Sequence, residues 1–423
     1  MKVQLIMLSL LLLSLSGQAQ QPYLSRETYR EKVENYSLLL KQQQLKTVIG
    51  TEERKIARTG FLPQIDINAD GTLNLSEPDA WNGAAGEYRN HTYQGVFVVT
   101  QPLYTGGALN ARRQIAEADE KLSRLNEELT IDQIHYQSDA VYWNASASQA
   151  MLQAADKYRS IVRQQYDIIR DRFDDGMIAR TDLLMISTRL QEAELQYIKA
   201  RQNYKLALQK LNILMGAEPE SAVDSLATID KPSAPMEILP LESVLQRRAD
   251  YESTEVNILK SRAQRKAALS RFNPQLSLSL RGGWATATPN LGQDVSFSPI
   301  VGMNLSIPLF HWGERIHTNR QQQAYIGIQK LQQSYVMDHI NEELSAALTK
   351  LTETEQQVKT ATETMNLANK NLDLVSFSYN EGKANMVEVL SAQLSWTQAH
   401  TNLINAYLAE KMAIAEYRKV ISE

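Results

Sequence analysis

Two copies of one turn sequence set the architecture of this chain: Phe173-Asp174-Asp175-Gly176-Met177-Ile178-Ala179-Arg180-Thr181-Asp182-Leu183-Leu184, and Tyr379-Asn380-Glu381-Gly382-Lys383-Ala384-Asn385-Met386-Val387-Glu388-Val389-Leu390. Each residue of the second copy stands 206 positions after its counterpart in the first. In both copies an aromatic residue precedes the glycine by three positions, and an acidic residue follows it by six. The pattern predicts a helix that ends at a glycine cap and is followed by a returning helix.

The helices that leave the two turns carry a heptad pattern of apolar residues. The first seam consists of Leu183, Ile186, Leu190, Ala193, Tyr197, Ala200, Tyr204, Ala207, Leu211 and Leu214. The second consists of Val389, Ala392, Trp396, Ala399, Leu403, Ala406, Ala413, Tyr417 and Val420, with Glu410 as its one interruption. Alternating spacings of three and four over several heptads predict helices that pack side by side as a coiled coil.

Composition limits the class of protein. The chain has 423 residues, of which 43% are hydrophobic and 22% charged, so it can bury a large core. Its mean hydropathy of -0.37 does not favour a helical membrane protein, and its net charge of -4 argues against nucleic acid as a partner. Because the sequence contains no cysteine, we expect neither disulfides nor a lipid-bearing cysteine at a mature N-terminus.

Residues 1–19 have the pattern of a cleavable secretory signal peptide. They combine Lys2, an apolar run from Leu5 to Leu15, and small residues at the cleavage positions, Gly17 and Ala19. The alternative is an uncleaved anchor, but the run is too short to span a bilayer. No later run approaches the roughly 18 apolar residues of a transmembrane helix. We therefore expect any membrane-spanning part to consist of strands.

The periodicity changes to that of a strand after a first helix, which is predicted over about 27–58. From Gln64 to Leu75 apolar and polar residues alternate at every position, with Ile65, Ile67 and Leu73 on the apolar side. The length matches the ~9–11 residues of a membrane-spanning strand. A second extended segment is predicted from Val96 to the end of Pro102-Leu103-Tyr104.

The second half of the chain repeats this arrangement. Phe272-Asn273-Pro274-Gln275-Leu276 corresponds to Phe61-Leu62-Pro63-Gln64-Ile65, and the alternating strand that starts there reaches Trp284. A further strand from Phe297 ends at Pro308-Leu309-Phe310, which corresponds to Pro102-Leu103-Tyr104. A half-exposed hairpin on a soluble protein is the alternative for each strand pair.

The chain is therefore predicted to be an internal duplication. Residues 20–216 form repeat 1, residues 217–240 an equatorial linker, and residues 241–423 repeat 2. Each repeat contains a helix, a β-hairpin and a long helical hairpin, and the descending helices, 107–174 and 313–380, would each be about 100 Å long. The alternative, a linker between independent domains, is rejected because neither half could bury its seam alone.

The strands predict a barrel shared between chains, because four strands cannot close one and an open edge is not tolerated in hydrocarbon. Two chains would give an eight-stranded barrel filled by side chains, whereas three leave room for a channel. The predicted lipid-facing residues are Ile65, Ile67, Leu73, Leu276, Leu278, Leu280, Met303 and Leu305. The predicted lumen-facing residues are Asp66, Asn68, Ser277, Ser279 and Arg281, and the predicted interface aromatics are Trp81, Tyr104, Trp284, Phe310 and Trp312.

With this order of elements, the chain resembles the TolC-like outer-membrane efflux proteins. The resemblance rests on the duplicated strand-strand-helix-helix order, the Pro-Leu-aromatic strand ends and the two glycine turns. It implies a homotrimer in the outer membrane of a Gram-negative bacterium, with a twelve-stranded membrane β-barrel continued by a long periplasmic α-helical coiled-coil tunnel. It also implies partners: outer-membrane lipid, a periplasmic adaptor (membrane fusion) protein and an inner-membrane transporter of an efflux or type I secretion system.

The resemblance also assigns roles to residues of the two turns. It implies a closed entrance at which Tyr379 bonds Asp182 beside Thr181, with Glu388 at an acidic ring position. The chain departs from the family at Ala384, where Lys383 is a possible substitute for a basic residue, and at Ser391, the second acidic position. The turn residues Gly176, Gly382, Leu183, Leu184, Val389 and Leu390 are implied as the adaptor-docking tip. The alternative is that Asp182 and Glu388 only complement a helix dipole and that Tyr379 is a seam residue.

Two other classes of protein compete with a channel. An enzyme is disfavoured because the sequence has no nucleophile, phosphate-loop or His-Glu-x-x-His motif, and His311 and His317 do not share a helix face. We expect no cofactor and no metal. An exported periplasmic coiled-coil adaptor or scaffold would explain the helices and the export, but it would not need alternating strands of membrane length.

Overall fold

The computed structural model describes residues 23–73, 75, 91–223, 225–230, 236–285 and 296–423. The expected signal peptide and Trp81 lie outside the described residues. The described chain forms two compact units. The first contains the residues up to Gln42, Glu128–Arg248 and Asp338–Glu423, and the second contains Gln43–Glu127 and Ala249–Met337.

Most described residues are helical. The helices are α1 (Arg26–Tyr36), α2 (Leu38–Thr59), α3 (Ala108–Asp174), α4 (Arg180–Leu214), α5 (Leu241–Arg247), α6 (Ala249–Ser270), α7 (Glu314–Asn380) and α8 (Met386–Val420). Both α3 and α7 have 67 residues, and both α4 and α8 have 35, as the duplication predicts. None of the helices among the described residues is long and apolar enough to cross a membrane.

The first helix of each repeat is broken once, which the sequence analysis did not predict. The breaks lie at Ser37, between α1 and α2, and at Arg248, between α5 and α6, where ψ is 112° and 113°. These positions are 211 residues apart, the same offset that separates Phe61 from Phe272. The break is therefore part of the repeated unit.

The main sheet lies in the second unit. Its strands are β2 (Gln64–Leu73), β3 (His91–Thr105), β5 (Gln275–Ala285), β6 (Ser296–Phe297) and β7 (Ile300–Ser306). They pair antiparallel in the order β2-β3-β5, and both β6 and β7 pair with β5. The strand predicted from Phe297 to Phe310 is thus two shorter strands, the second of which ends at Ser306. Pro299 lies in the gap and Pro308 beyond the end, and proline cannot donate to a strand ladder.

The register places most apolar residues of the strands on one face of the sheet. Ile67 lies opposite Phe97, and Val99 lies between Ile65 and Leu280. Leu278 lies opposite Met303, and Leu276 opposite Leu305. The other face contains Asp66, Asn68, Ser277, Ser279 and Arg281, together with Val96, Val98 and Ile300. The predicted division into an apolar and a polar set is therefore confirmed, except that three apolar residues join the polar face.

A second sheet, in the first unit, was not predicted. Its strands β1 (Tyr23–Leu24) and β4 (Ser225–Leu226) pair in parallel. The buried hydroxyl of Tyr142 donates to the carbonyl of Leu24 at 2.8 Å and accepts from the N–H of Ala227 at 2.9 Å. Tyr142 therefore ties the N-terminal segment to the segment that follows α4.

The helical core of the first unit follows the predicted seams. Helices α3, α4, α7 and α8 bury a common cluster that includes Ile186, Ala193, Val389 and Trp396. Further along α8, Ala413 and Tyr417 are also buried. Helix α8 is buried on a second side too, where Ile404 packs with Ala147 and Ile229.

Candidate functional site

The two turns form the same motif. Gly176 and Gly382 have φ of 73° and 71°, a left-handed conformation that glycine adopts without steric cost. The N–H of each glycine donates to the carbonyl three residues back, and the next N–H donates five residues back: Gly176 to Phe173, Met177 to Arg172, Gly382 to Tyr379 and Lys383 to Ser378. The predicted glycine caps are therefore confirmed, and their hydrogen bonds are those of the Schellman motif.

The helices that leave the turns begin differently. At the start of α8, the Asn385 side chain accepts from the N–H of Glu388 at 3.0 Å and donates to the Glu388 carboxylate at 2.8 Å. The corresponding residue before α4 is Ala179, which has no capping side chain. Asn385 is therefore the N-cap residue of α8. The Glu388 carboxylate bonds to the Asn385 side chain and not to its backbone N–H, so the pair makes only the first of the two bonds of a capping box.

Tyr379 lies in the core of the tip. It is 8% exposed, and the Arg172 guanidinium lies 5.8 Å from its ring centre. Burial, and then the negative charge of Asp182, raise the pKa of Tyr379, while Arg172 partly offsets them. Asp182 is thus near the tyrosine, but the described residues contain no hydrogen-bond partner for the Tyr379 hydroxyl. The expected bond between Tyr379 and Asp182 remains a prediction.

The other turn residues differ in exposure. Thr181 and Lys383 are exposed, and so is Leu184 at 57%. Leu183 and Leu390 are partly buried against the core, and Val389 is fully buried in it. Val389 therefore stabilises the tip from within, and Leu184 contributes to an outward apolar surface together with Met177 and Val387, which are also exposed.

A polar layer lies next to the turns, and the sequence analysis missed it. Gln393 of α8 is completely buried and donates to Gln165 of α3, and the Trp396 indole donates to Asn369 of α7 at 2.6 Å. One turn further, His400 packs edge-on against Trp396. The sequence indicates this layer only weakly, because a single glutamine beside an apolar seam has the pattern of a solvent-facing residue.

His400 is also electrostatically unusual. Its Nδ1 atom is buried and has no hydrogen-bond partner among the described residues. Burial, and then the nearby Lys157 ammonium, lower the pKa of His400. A neutral imidazole is therefore favoured at this position. Within the described ranges, no group of three or more His, Asp or Glu side chains could hold a metal ion.

The order of elements, the paired turns and the sheet can be compared with known proteins. The model of the outer membrane efflux protein family matches residues 29–217 and 241–419, which is most of the chain. The chain belongs to this family. Members of the outer membrane efflux protein family are channel proteins, so the chain is not an enzyme.

The chain is also similar in sequence to individual outer-membrane proteins. Alkaline protease secretion protein AprF of Pseudomonas aeruginosa is 26% identical over 286 residues, which are 64% of this chain and 58% of AprF. Outer membrane efflux protein BepC of Brucella suis is 21% identical over 360 residues, 85% of this chain and 76% of BepC. Outer membrane protein TolC of Escherichia coli is 21% identical over 407 residues, 87% of this chain and 76% of TolC.

Solved structures show the same fold. CusC superposes with a TM-score of 0.82 at 16% identity, over 94% of this chain and 91% of CusC. The CmeC outer membrane channel of Campylobacter jejuni superposes with a TM-score of 0.82 at 17% identity, over 94% of this chain and 85% of CmeC. The predicted TolC-like fold is confirmed, and so is an outer-membrane exit duct with a large periplasmic helical part.

Proposed function

We propose that three copies of this chain form a passive exit duct through the outer membrane, which conducts whatever an inner-membrane transporter and a periplasmic adaptor deliver. The observation that carries the proposal is the register of the main sheet, because it aligns one exposed apolar face across every strand. Ile65, Ile67, Val301 and Met303 are all well exposed on that face. Such a face suits lipid, and the polar face suits a wet lumen.

The sheet also has two open edges. Among the described residues, β2 pairs only with β3, and β7 pairs only with β5. Unpaired strand edges are not tolerated in hydrocarbon. We therefore propose that β2 of one chain pairs with β7 of the next, which closes the barrel without a further element.

The helices expose apolar stripes that a single chain does not cover. The exposed residues are Leu38, Leu39, Leu45, Val48, Ile49 and Ile56 on α2; Leu184, Leu195, Ile198, Leu206 and Ile213 on α4; and Ile316, Tyr325, Ile328, Leu331, Tyr335, Met337, Leu367, Leu374 and Phe377 on α7. Several recur at seven-residue intervals, which is typical of coiled-coil contacts. Large exposed apolar surfaces mark association sites, so these stripes support contacts between copies.

We also propose that the two turns form the pump-facing end and contact the adaptor. Exposed Leu184, Thr181 and Lys383 would provide that surface, while Gly176 and Gly382 shape it. AprF is a secretion protein by name and BepC an efflux protein. We therefore propose that the inner-membrane pump, and not the duct, determines which substrates are conducted.

Cross-linking and conductance test the proposal. The protein should sediment with outer membranes, be released only by detergent and cross-link up to a trimer and no further. In planar lipid bilayers it should form discrete, long-lived conducting pores. Cross-linking that stops at a dimer would contradict the trimer. A soluble, non-conducting protein would instead fit an exported coiled-coil adaptor or scaffold.

A further inference from the structure

Basic residues are concentrated where four helices of the second unit meet the main sheet. The two helical turns nearest the sheet contain nine Lys or Arg but only two Asp or Glu, in a chain whose net charge is -4. We call these turns the basic collar; they are residues 53–59 of α2, 108–114 of α3, 264–270 of α6 and 314–320 of α7.

The opposite ends of the long helices have no such excess of positive charge. The two turns of α3, α4, α7 and α8 that flank the glycine caps contain three basic and four acidic residues. The positive charge therefore belongs to the sheet end of the helices and is not a general property of their exposed faces.

Some cations of the collar are neutralised within the chain, and others are not. Arg54 pairs with Glu120 at 2.7 Å. Lys266 is exposed, and its Nζ atom donates to the neutral amide oxygen of Gln114 at 3.3 Å. Arg262, one turn earlier on the same side of α6, is also exposed, and the described chain provides no acidic partner for it. Two neighbouring cations of α6 are thus left uncompensated.

Arg262 and Lys266 line a groove between α3 and α6, the α3–α6 groove. Its volume is about 480 Å³. Ala118, Val256 and Ala263 also line it and are buried, so they provide an apolar floor. Because the alanine side chains are small, they leave room above this floor for a group from outside the chain.

The remaining charges of the groove already have partners. Lys121 pairs with Glu252 at 2.5 Å. Glu117 lies 3.6 Å from Arg113 and 3.9 Å from Arg58. What the groove lacks is an anion for its guanidinium and its ammonium, which lie one turn apart. Phosphate oxygens are common acceptors for both groups.

We propose that the α3–α6 groove binds the phosphate of an anionic phospholipid in the leaflet where the helices meet the sheet. The proposal rests on the proposed membrane insertion of the sheet. Lys266 lies one turn, about 6 Å, before the end of α6, and its flexible side chain can extend from there toward the headgroups. Basic pockets between helices are known to bind lipid headgroups.

A second copy of the chain fits the groove less well than phospholipid does. Copies that share one membrane meet at the same level, so the collar of one copy would face the collar of the next. With two acidic residues for nine basic ones, the collars cannot neutralise each other. The uncompensated charge therefore favours an anionic lipid surface.

Electron spin resonance of labelled lipids can test the α3–α6 groove in the intact protein. The protein is placed in phosphatidylcholine nanodiscs that contain a trace of spin-labelled phosphatidylglycerol or, in a parallel sample, spin-labelled phosphatidylcholine. The motionally restricted fraction of each label gives its relative affinity. Arg262→Gln combined with Lys266→Gln removes both cations. Lys359→Gln combined with Lys370→Gln, at exposed positions of α7 in the first unit, is the matched control.

The wild type should prefer phosphatidylglycerol over phosphatidylcholine at least twofold. The groove variant should lose this preference, and the control variant should keep it. Because exposed charges are screened by salt, the preference should also decrease as the sodium chloride concentration rises. A preference that persists in the groove variant would overturn the assignment of the site to Arg262 and Lys266.

Two further results separate this proposal from its alternatives. Replacing chloride by inorganic phosphate at constant ionic strength should leave the lipid preference unchanged, and its loss would reassign the groove to free phosphate. If the wild type restricts both lipids equally, the headgroup site is overturned and the proposed duct is unaffected. If it restricts neither lipid, the sheet is not inserted and both proposals are overturned.

Discussion

Asn385 and Glu388 bond to each other twice at the start of α8, once through the backbone N–H of Glu388 and once through its carboxylate. This relationship gives Glu388 a structural role in a single chain. A second role, in the ion selectivity of the channel entrance, would be additional to this structural role. The two roles can be separated by experiment, because one depends on hydrogen bonding and the other on charge.

Removing the cap should destabilise the tip. Asn385→Ala is expected to lower the local stability of the first turn of α8 by about 1 kcal/mol, because the backbone N–H of Glu388 loses its capping partner. Hydrogen-deuterium exchange of peptides from residues 380–392 should show faster exchange. Ala179→Asn is the matched variant, since it adds a capping side chain at the equivalent position of α4 and should slow exchange there. Unchanged exchange in both variants would contradict the capping role.

Removing the charge of Glu388 should change the ion selectivity of the pore but leave the tip folded. Glu388→Gln keeps an acceptor for Asn385 but removes the negative charge. We expect weaker cation preference or weaker block by polyvalent cations in planar bilayers, with unchanged hydrogen exchange at the turn. If the ion selectivity and the block by polyvalent cations match those of the wild type, the only role of Glu388 is its bonding to the cap residue Asn385.

Tyr379 and Asp182 should help to hold the entrance closed. Tyr379→Phe keeps the buried ring beside Arg172 and removes the hydroxyl, and Asp182→Ala removes the nearby carboxylate. The double variant is expected to raise the open fraction in single-channel recordings above that of either single variant, because each alone leaves one polar partner. Thr352→Ala, at an exposed position of α7 far along the chain from the turns, is the control. Recordings indistinguishable from the wild type would leave Tyr379 as a packing residue.

The two faces of β5 should differ in their tolerance of charge. Leu278→Arg places a cation on the apolar face, opposite Met303, and should cost about 2–4 kcal/mol if that face meets the bilayer midplane. Ser279→Arg places the same cation on the polar face and should cost much less. The yield of heat-resistant trimer in outer membranes measures the difference. Equal yields would show that the faces have been assigned wrongly.

His400 should make stability depend on pH. Its pKa is lowered in the folded state, so between that value and the ordinary pKa near 6.5 the unfolded chain binds a proton that the folded chain does not. Folding stability is therefore present in full above pH 6.5 and decreases as the pH falls through the range below it. The melting temperature of the wild type should fall more between pH 7 and 5 than that of His400→Gln. His317→Gln, at an exposed position of α7, should behave like the wild type.

Much of the fold could be predicted because the signals are periodic and occur twice. The turn glycines, the seam residues of α4 and α8 and the alternation of β2 and β5 each follow from local chemistry, and the second copy confirms the first. The fine structure of the strands was harder to predict. Val96 and Val98 break the alternation of β3, and Pro299 divides the last strand, so pairing with β5 was needed to define which residues share a face.

In the candidate site, too, local patterns could be predicted from the sequence, whereas contacts between helices could not. The sequence placed Asp182 and Glu388 at helix starts and Tyr379 three residues before a glycine, which a helix-turn-helix pattern fixes locally. The contrast between Asn385, which stands three residues before Glu388 at a helix start, and Ala179 is also local, and the sequence analysis overlooked it. The sequence could not show that Gln393 is buried, since its burial depends on helix α3 lying beside α8.

The sequence by itself determined the duplication, the lengths of the two longest helices, the seams of α4 and α8, the glycine caps and the apolar face of the sheet, because each arises from the spacing of neighbouring residues along one element. Only the tertiary structure decided the parallel pairing of Tyr23–Leu24 with Ser225–Leu226, the role of Tyr142 in joining these segments, the polar layer of Gln393 and Trp396, and the environment of His400. These features join residues far apart in the chain. No periodicity within one segment encodes them, since they exist only once separate elements have packed together.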